Sequence, residues 1–116
     1  MTVQSHLPKK LHPFHLEQVP VSAPIANPRN PRTHSRAQIR QIAASIREFG
    51  FTNPLLVDEG DALIAGHGRL EAARLLGMER VPAIRLRGLS EAQKRALALA
   101  DNKLAENAGR DRGLLA

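Results

Sequence analysis

The stretch Leu63-Ile64-Ala65-Gly66-His67-Gly68-Arg69-Leu70-Glu71-Ala72-Ala73 decides how this chain is read. Residues 62–65 are apolar and short enough for a strand, and two glycines then interrupt the regular pattern. From Leu70 the residues suit a helix through Leu76, which Gly77 closes. Strand, glycine turn and helix in that order make an anion-binding arrangement. Gly66 and Gly68 let the backbone turn tightly and approach a ligand closely. The amides at the helix start lack intrahelical partners, and the positive end of the helix dipole lies behind them. Arg69 adds a planar donor fork suited to phosphate. On these residues alone a plain glycine turn is the alternative. The spacing is not that of a Walker loop, which needs G-x-x-x-x-G-K-[ST].

Working outward, Pro54–Asp58 and Ala62–Ala65 read as two strands joined by Glu59-Gly60-Asp61, a hairpin. Val81–Leu86 reads as another strand, and Pro82 points to an edge or end position in the sheet. Ser90 with Gln93 forms a capping box that opens a helix to about Ala100, after which Asp101-Asn102-Lys103 either ends it or continues it toward Asn107. Upstream, Ser35 with Gln38 makes a second capping box and Gly50 supplies the stop. Between them Ile39, Ile42, Ala43, Ile46 and Phe49 share one face at helical spacing. Val19–Val21 reads as a short edge strand. Six of the eight prolines precede residue 32, so that part of the chain holds no long helix. Residues 1–18 are expected to be a disordered arm, 19–107 the folded domain, and 108–116 a tail or the start of a further domain. His6, His12 and His15 fall in the arm and are read as solvated rather than as metal ligands. Strands and helices alternating irregularly about a hairpin indicate a small α+β domain, not a doubly wound sheet.

Length and composition agree. The 116 residues allow one domain, and 42% hydrophobic with 24% charged residues is ordinary for a globular chain. With no cysteine there is no disulfide scaffold, thiolate metal site or thiol nucleophile. Three phenylalanines are the only aromatics, which argues against a base-stacking platform. No apolar run approaches the roughly 20 residues of a membrane span, and no signal-peptide pattern opens the chain, so a cytoplasmic location is expected.

The net charge of +6 is unevenly placed: residues 1–50 carry +5 and residues 51–116 carry +1. No acid occurs between Glu17 and Glu48, whereas Arg29, Arg32, Arg36, Arg40 and Arg47 all do. At about 100° per residue, Arg36, Arg40 and Arg47 form one ridge beside the apolar stripe of their helix. Either the ridge meets a polyanion such as nucleic acid or it is a solvated face.

Four blocks together resemble the ParB amino-terminal domain family: Asn27-Pro28-Arg29-Asn30-Pro31-Arg32; Ile42-Ala43-Ala44-Ser45-Ile46-Arg47-Glu48-Phe49-Gly50 with Asn53-Pro54-Leu55-Leu56-Val57; Leu63 to Ala73; and Leu99-Ala100-Asp101-Asn102. The third is similar to the family signature G-E-R-R-x-R-A, and the last to the start of E-N-x-x-R. The resemblance covers about residues 19–107. It implies the fold shared with sulfiredoxin, a mixed sheet with a hairpin and three or four packed helices. It also implies binding of CTP or a related nucleoside triphosphate with Mg²⁺, association with DNA in partition, regulation or phage-type DNA processing, a nucleoid-associated location, and homodimerisation on nucleotide binding. On that reading Arg32, Gly66, His67, Gly68 and Arg69 face the triphosphate, Asp101 and Asn102 hold the metal, and Arg29, Arg36, Arg40 and Arg47 meet DNA phosphates.

The departures matter as much. The family's loop glutamate, implicated in hydrolysis, is His67 here, and its first loop arginine is Gly68. Little or no nucleotide turnover is therefore expected, with His67 the one candidate catalytic residue. The sulfiredoxin reaction needs a loop cysteine and is excluded. Similar Gly-His-Gly-Arg domains followed by Asp-Asn-Lys-Leu-Ala also precede DNA methyltransferases. An accessory domain of such an enzyme is thus the alternative, although no Asp-Pro-Pro-Tyr methyltransferase segment occurs in this chain.

Overall fold

The structure, a computed structural model, describes residues 15–26 and 34–101. Four strands and two helices are bounded within it: β1 Leu16–Pro20, α1 Arg36–Phe49, β2 Leu55–Val57, β3 Leu63–Ala65, α2 His67–Leu75 and β4 Arg80–Arg85. A third helix, α3, covers residues 91–101. The strands form one sheet in the order β1-β4-β2-β3. β4 is antiparallel to β1 and parallel to β2, while β2 and β3 make the expected antiparallel hairpin. The fold is thus α+β, with a mixed four-stranded sheet and three packed helices.

The core lies between the sheet and α2. Leu55, Val57 and Val81 are essentially inaccessible, and Leu70 and Ala73, one helical turn apart on α2, join the same cluster with Val19, Leu63 and Ala83. Each fully buried side chain of the Val or Leu class contributes roughly 1.5–3 kcal/mol. α1 packs on α2, with Ile42 Cδ1 against Gly68, and Ala43 is its buried residue. Its capping box forms as the sequence requires, with Ser35 Oγ accepting from Gln38 N–H at 3.1 Å and Gln38 Oε1 accepting from Ser35 N–H at 3.0 Å. α2 ends in a left-handed Gly77 that donates to Arg74 O, while Met78 N–H reaches Ala73 O and its side chain packs on the core. That bond pair stops the helix at the expected glycine.

Four expectations need correction. β1 begins at Leu16, inside the stretch assigned to the arm. Its register with β4, Leu16↔Ile84 to Pro20↔Arg80, supplies the backbone partners that order it. Phe49 is 74% exposed although it continues the apolar stripe of α1. Gly50 turns the chain there, with φ 80°, and Phe51 enters the core instead. Pro82 lies in an interior strand, not at an edge. Val21 N–H donates to Glu79 O and Leu86 N–H to Val57 O, so even-numbered residues of β4 direct their backbone groups toward β2. The β2 ladder begins only at Leu55↔Ala83, so the donor that Pro82 lacks has no strand opposite it. Lastly, α2 starts at His67 rather than Leu70, which reshapes the candidate site.

Candidate phosphate site at the start of the second helix

Because α2 begins at His67, the glycine turn contracts to one residue. Gly66 is the N-cap, in the left-handed region at φ 105°, and brings no side-chain cap. A Cβ there would lie 2.6 Å from Leu55 Cδ2, so both backbone conformation and core packing require glycine. His67, Gly68 and Arg69 form the first helical turn, and the first intrahelical bond runs from Leu70 N–H to Gly66 O at 2.9 Å. Whereas α1 is closed by its own capping box, the positive end of α2 has no side-chain cap from Gly66.

Arg69 folds back over this turn. Its Nη2 donates to Pro54 O and to Asp101 Oδ1, both at 3.3 Å, with the two side chains of the ion pair 17% and 27% exposed. Two residues proposed from separate sequence blocks, one for phosphate and one for metal, therefore meet. Arg69 Nε is buried and has no hydrogen-bond partner. Arg29, Arg32 and Asn102 lie outside the described residues, as does the tail. Among the described residues no cluster of three metal-ligating side chains occurs, and Asp101 is the one proposed ligand in view.

His67 lines a cleft of about 280 Å³ between α3, β3 and residues 25–26, with Ala62, Ile64, Lys94 and Ala98 among its walls. The same cleft is lined by a polar pin that sequence reading missed. Asp58 Oδ1 accepts from Gly60 and Ala62 N–H at 2.8 and 2.9 Å, and its Oδ2 accepts from Lys94 Nζ at 2.8 Å. Burial alone would raise the Asp58 carboxyl, but the bonds from Lys94, Ala62 and Gly60 outweigh it and hold the group below its ordinary value. The bond to Asp58 raises Lys94 in turn. Arg85 spans Glu17, Asp61 and the Asp58 carbonyl, and its ion pairs, Glu17 first, raise it further. An Asp placed just before a Glu-Gly-Asp turn was the available signal for the Asp58 loop. Nothing local announced its partner 36 residues later.

Arg36, Arg40 and Arg47 are exposed along α1, and among the described residues none has a carboxylate within 4.0 Å. No helix among the described residues is long and apolar enough to cross a membrane.

Comparison with known proteins follows the same lines. In Escherichia coli K12, the ParB-like nuclease domain-containing protein YnaK is 54% identical over 65 residues, covering 56% of this chain and 75% of that protein. The chromosome-partitioning protein Spo0J of Thermus thermophilus is 36% identical over 89 residues, 73% of this chain but 33% of its own length. The chain thus spans about a third of such partition proteins. Among solved structures, the C-terminally truncated ParB of Caulobacter crescentus complexed with CTP-gamma-S superimposes with a TM-score of 0.67 at 26% identity, covering 76% of this chain and 52% of that one. The ParB N-terminal domain model matches residues 6–103, nearly the whole sequence, and the chain belongs to that family.

Proposed function

We propose that this chain is a nucleotide-binding, DNA-associated module that takes a nucleoside triphosphate, CTP foremost, with Mg²⁺. The observation that carries the reading is the start of α2, which lacks a side-chain cap and has Arg69 and Asp101 at its mouth. Backbone amides and the helix dipole favour phosphate there, and Arg69 supplies directed charge. The Caulobacter relative, described as complexed with CTP-gamma-S, supports the same ligand class. Mg²⁺ takes one or two carboxylates together with substrate phosphates, a donor set that Asp101 fits. When bound, the metal would add positive charge beside the phosphates, with Asp101 and Asn102 holding it. His67, where the family has glutamate, makes this a binding module with little or no turnover. The exposed α1 ridge suits nucleic-acid phosphates, and with membership of the ParB family it supports a place in the cytoplasm at the nucleoid and pairing of two copies on nucleotide binding.

Calorimetry with CTP and ATP, with and without Mg²⁺, tests the reading. Arg69→Ala is expected to weaken binding by the roughly 1.5–3 kcal/mol of a charge-assisted bond. Absence of binding by the folded wild type at millimolar nucleotide would overturn it. Steady phosphate release that His67→Ala abolishes would instead make His67 catalytic.

A further inference from the structure

Gly68 leaves a specific space, and two side chains, Ile42 and His34, line it. A Cβ on Gly68 would stand 3.2 Å from His34 Cε1 and 3.3 Å from His34 Nε2, with Ile42 Cδ1 at 2.9 Å. The far edge of the His34 imidazole therefore lies against the space that a side chain at position 68 would enter. His34 directly precedes Ser35, the N-cap of α1, so the starts of α1 and α2 meet at this contact. The ring is half-buried and adjoins the first turn of α2, which also carries Arg69 with its buried Nε lacking a hydrogen-bond partner. The family signature has an arginine where this chain has Gly68. The loop has lost that cation, and an imidazole from the segment ahead of α1 lies beside the same position.

We propose that His34 is a phosphate-binding residue of this site, its imidazole, just ahead of α1, standing in for the loop arginine that Gly68 replaces. The proposal rests on the nucleotide reading above and names a contact within it. A phosphate oxygen at the mouth of α2 accepts from the helix amides, from Arg69 and from the imidazole. Gly68 is then required for the close approach of the ring. Positions 34 and 68 act as a pair: a side chain at 68 displaces the ring that does its work.

Calorimetry with CTP and with inorganic tripolyphosphate, both with Mg²⁺, together with NMR of the histidine side chains, separates the outcomes. His34→Ala should weaken both ligands about tenfold or more, as loss of a hydrogen bond to a charged group does. His34→Gln, which keeps a nitrogen donor, should recover most of that loss, and Gly68→Ala should weaken binding by displacing the ring. Saturating tripolyphosphate should shift the His34 imidazole resonances of the wild type, a readout that holds even where a variant folds poorly. Binding by the wild type with unchanged affinity in His34→Ala, or with unmoved His34 resonances, overturns the proposal and leaves the nucleotide reading standing. Absence of wild-type binding to either ligand overturns both.

Discussion

α2 and α3 both lie against the β2–β3 hairpin, but they are held by different forces. α2 presents Leu70, Ala72 and Ala73, each no more than 2% exposed, to the sheet and to α1. In α3 no residue is fully buried, Leu99 is 70% exposed, and the helix is tied down by Lys94 on Asp58 and by Asp101 on Arg69. Those two anchors stand seven residues apart, two turns on one face. One helix is therefore fixed by apolar burial, which pH and salt hardly alter. The other is fixed by charges that both can reach. The helix that brings the proposed metal ligand is thus also the one whose attachment responds to solution conditions.

The comparison is broken most strongly from the apolar side. Leu55→Ala should lower global stability by about 2–5 kcal/mol in urea unfolding, since the site is inaccessible and surrounded by core residues. Asp58→Ala should cost less, about 1.5–3 kcal/mol, because it strips a charged acceptor from Lys94 and two turn amides. Hydrogen exchange should show that loss concentrated in α3 and the 58–62 turn, and an even loss across the sheet would refute the division drawn here.

Titration sharpens the same contrast. Asp58 has a lowered carboxyl, so its stabilisation is complete above the ordinary value of 3.8 and drains away as pH falls through the lower native value. Lys94 is raised, so its share is complete below 10.5 and is lost as pH rises through the higher native value. Protection of α3 should therefore hold across the neutral range and fail first at the acid end, while Asp58→Asn should flatten the acid limb. The smallest stability effect belongs to the exposed ridge. Arg36→Ala with Arg40→Ala should change stability by no more than about 0.5 kcal/mol per site. If the ridge meets duplex DNA, the pair should also reduce the log–log salt slope by about 0.9 per lost contact, equally on random and defined sequences. An unchanged slope in fluorescence anisotropy would remove the ridge from any DNA contact.

Much of this was written locally. The capping box at Ser35–Gln38, the stops at Gly50 and Gly77 and the hairpin about Glu59-Gly60-Asp61 are short-range chemistry, so four or five residues suffice to specify each. Gly66 could be picked out for the same reason, since a glycine turn entering a helix is a feature of the local backbone. Pro82 and Phe49 were misplaced because their settings depend on how far β2 extends and where the chain turns at Gly50, and neither is a local property. The ion pairs are more distant still: Arg69 meets Asp101 across 32 residues and Lys94 meets Asp58 across 36. Side-chain pairing at that separation has no periodic trace, so only the packed structure could bring the phosphate and metal candidates together. The same holds for His34, which local sequence marks merely as the residue before a cap. Tertiary packing set its ring beside Gly68, because a missing side chain on one helix leaves room that only a distant part of the chain can enter.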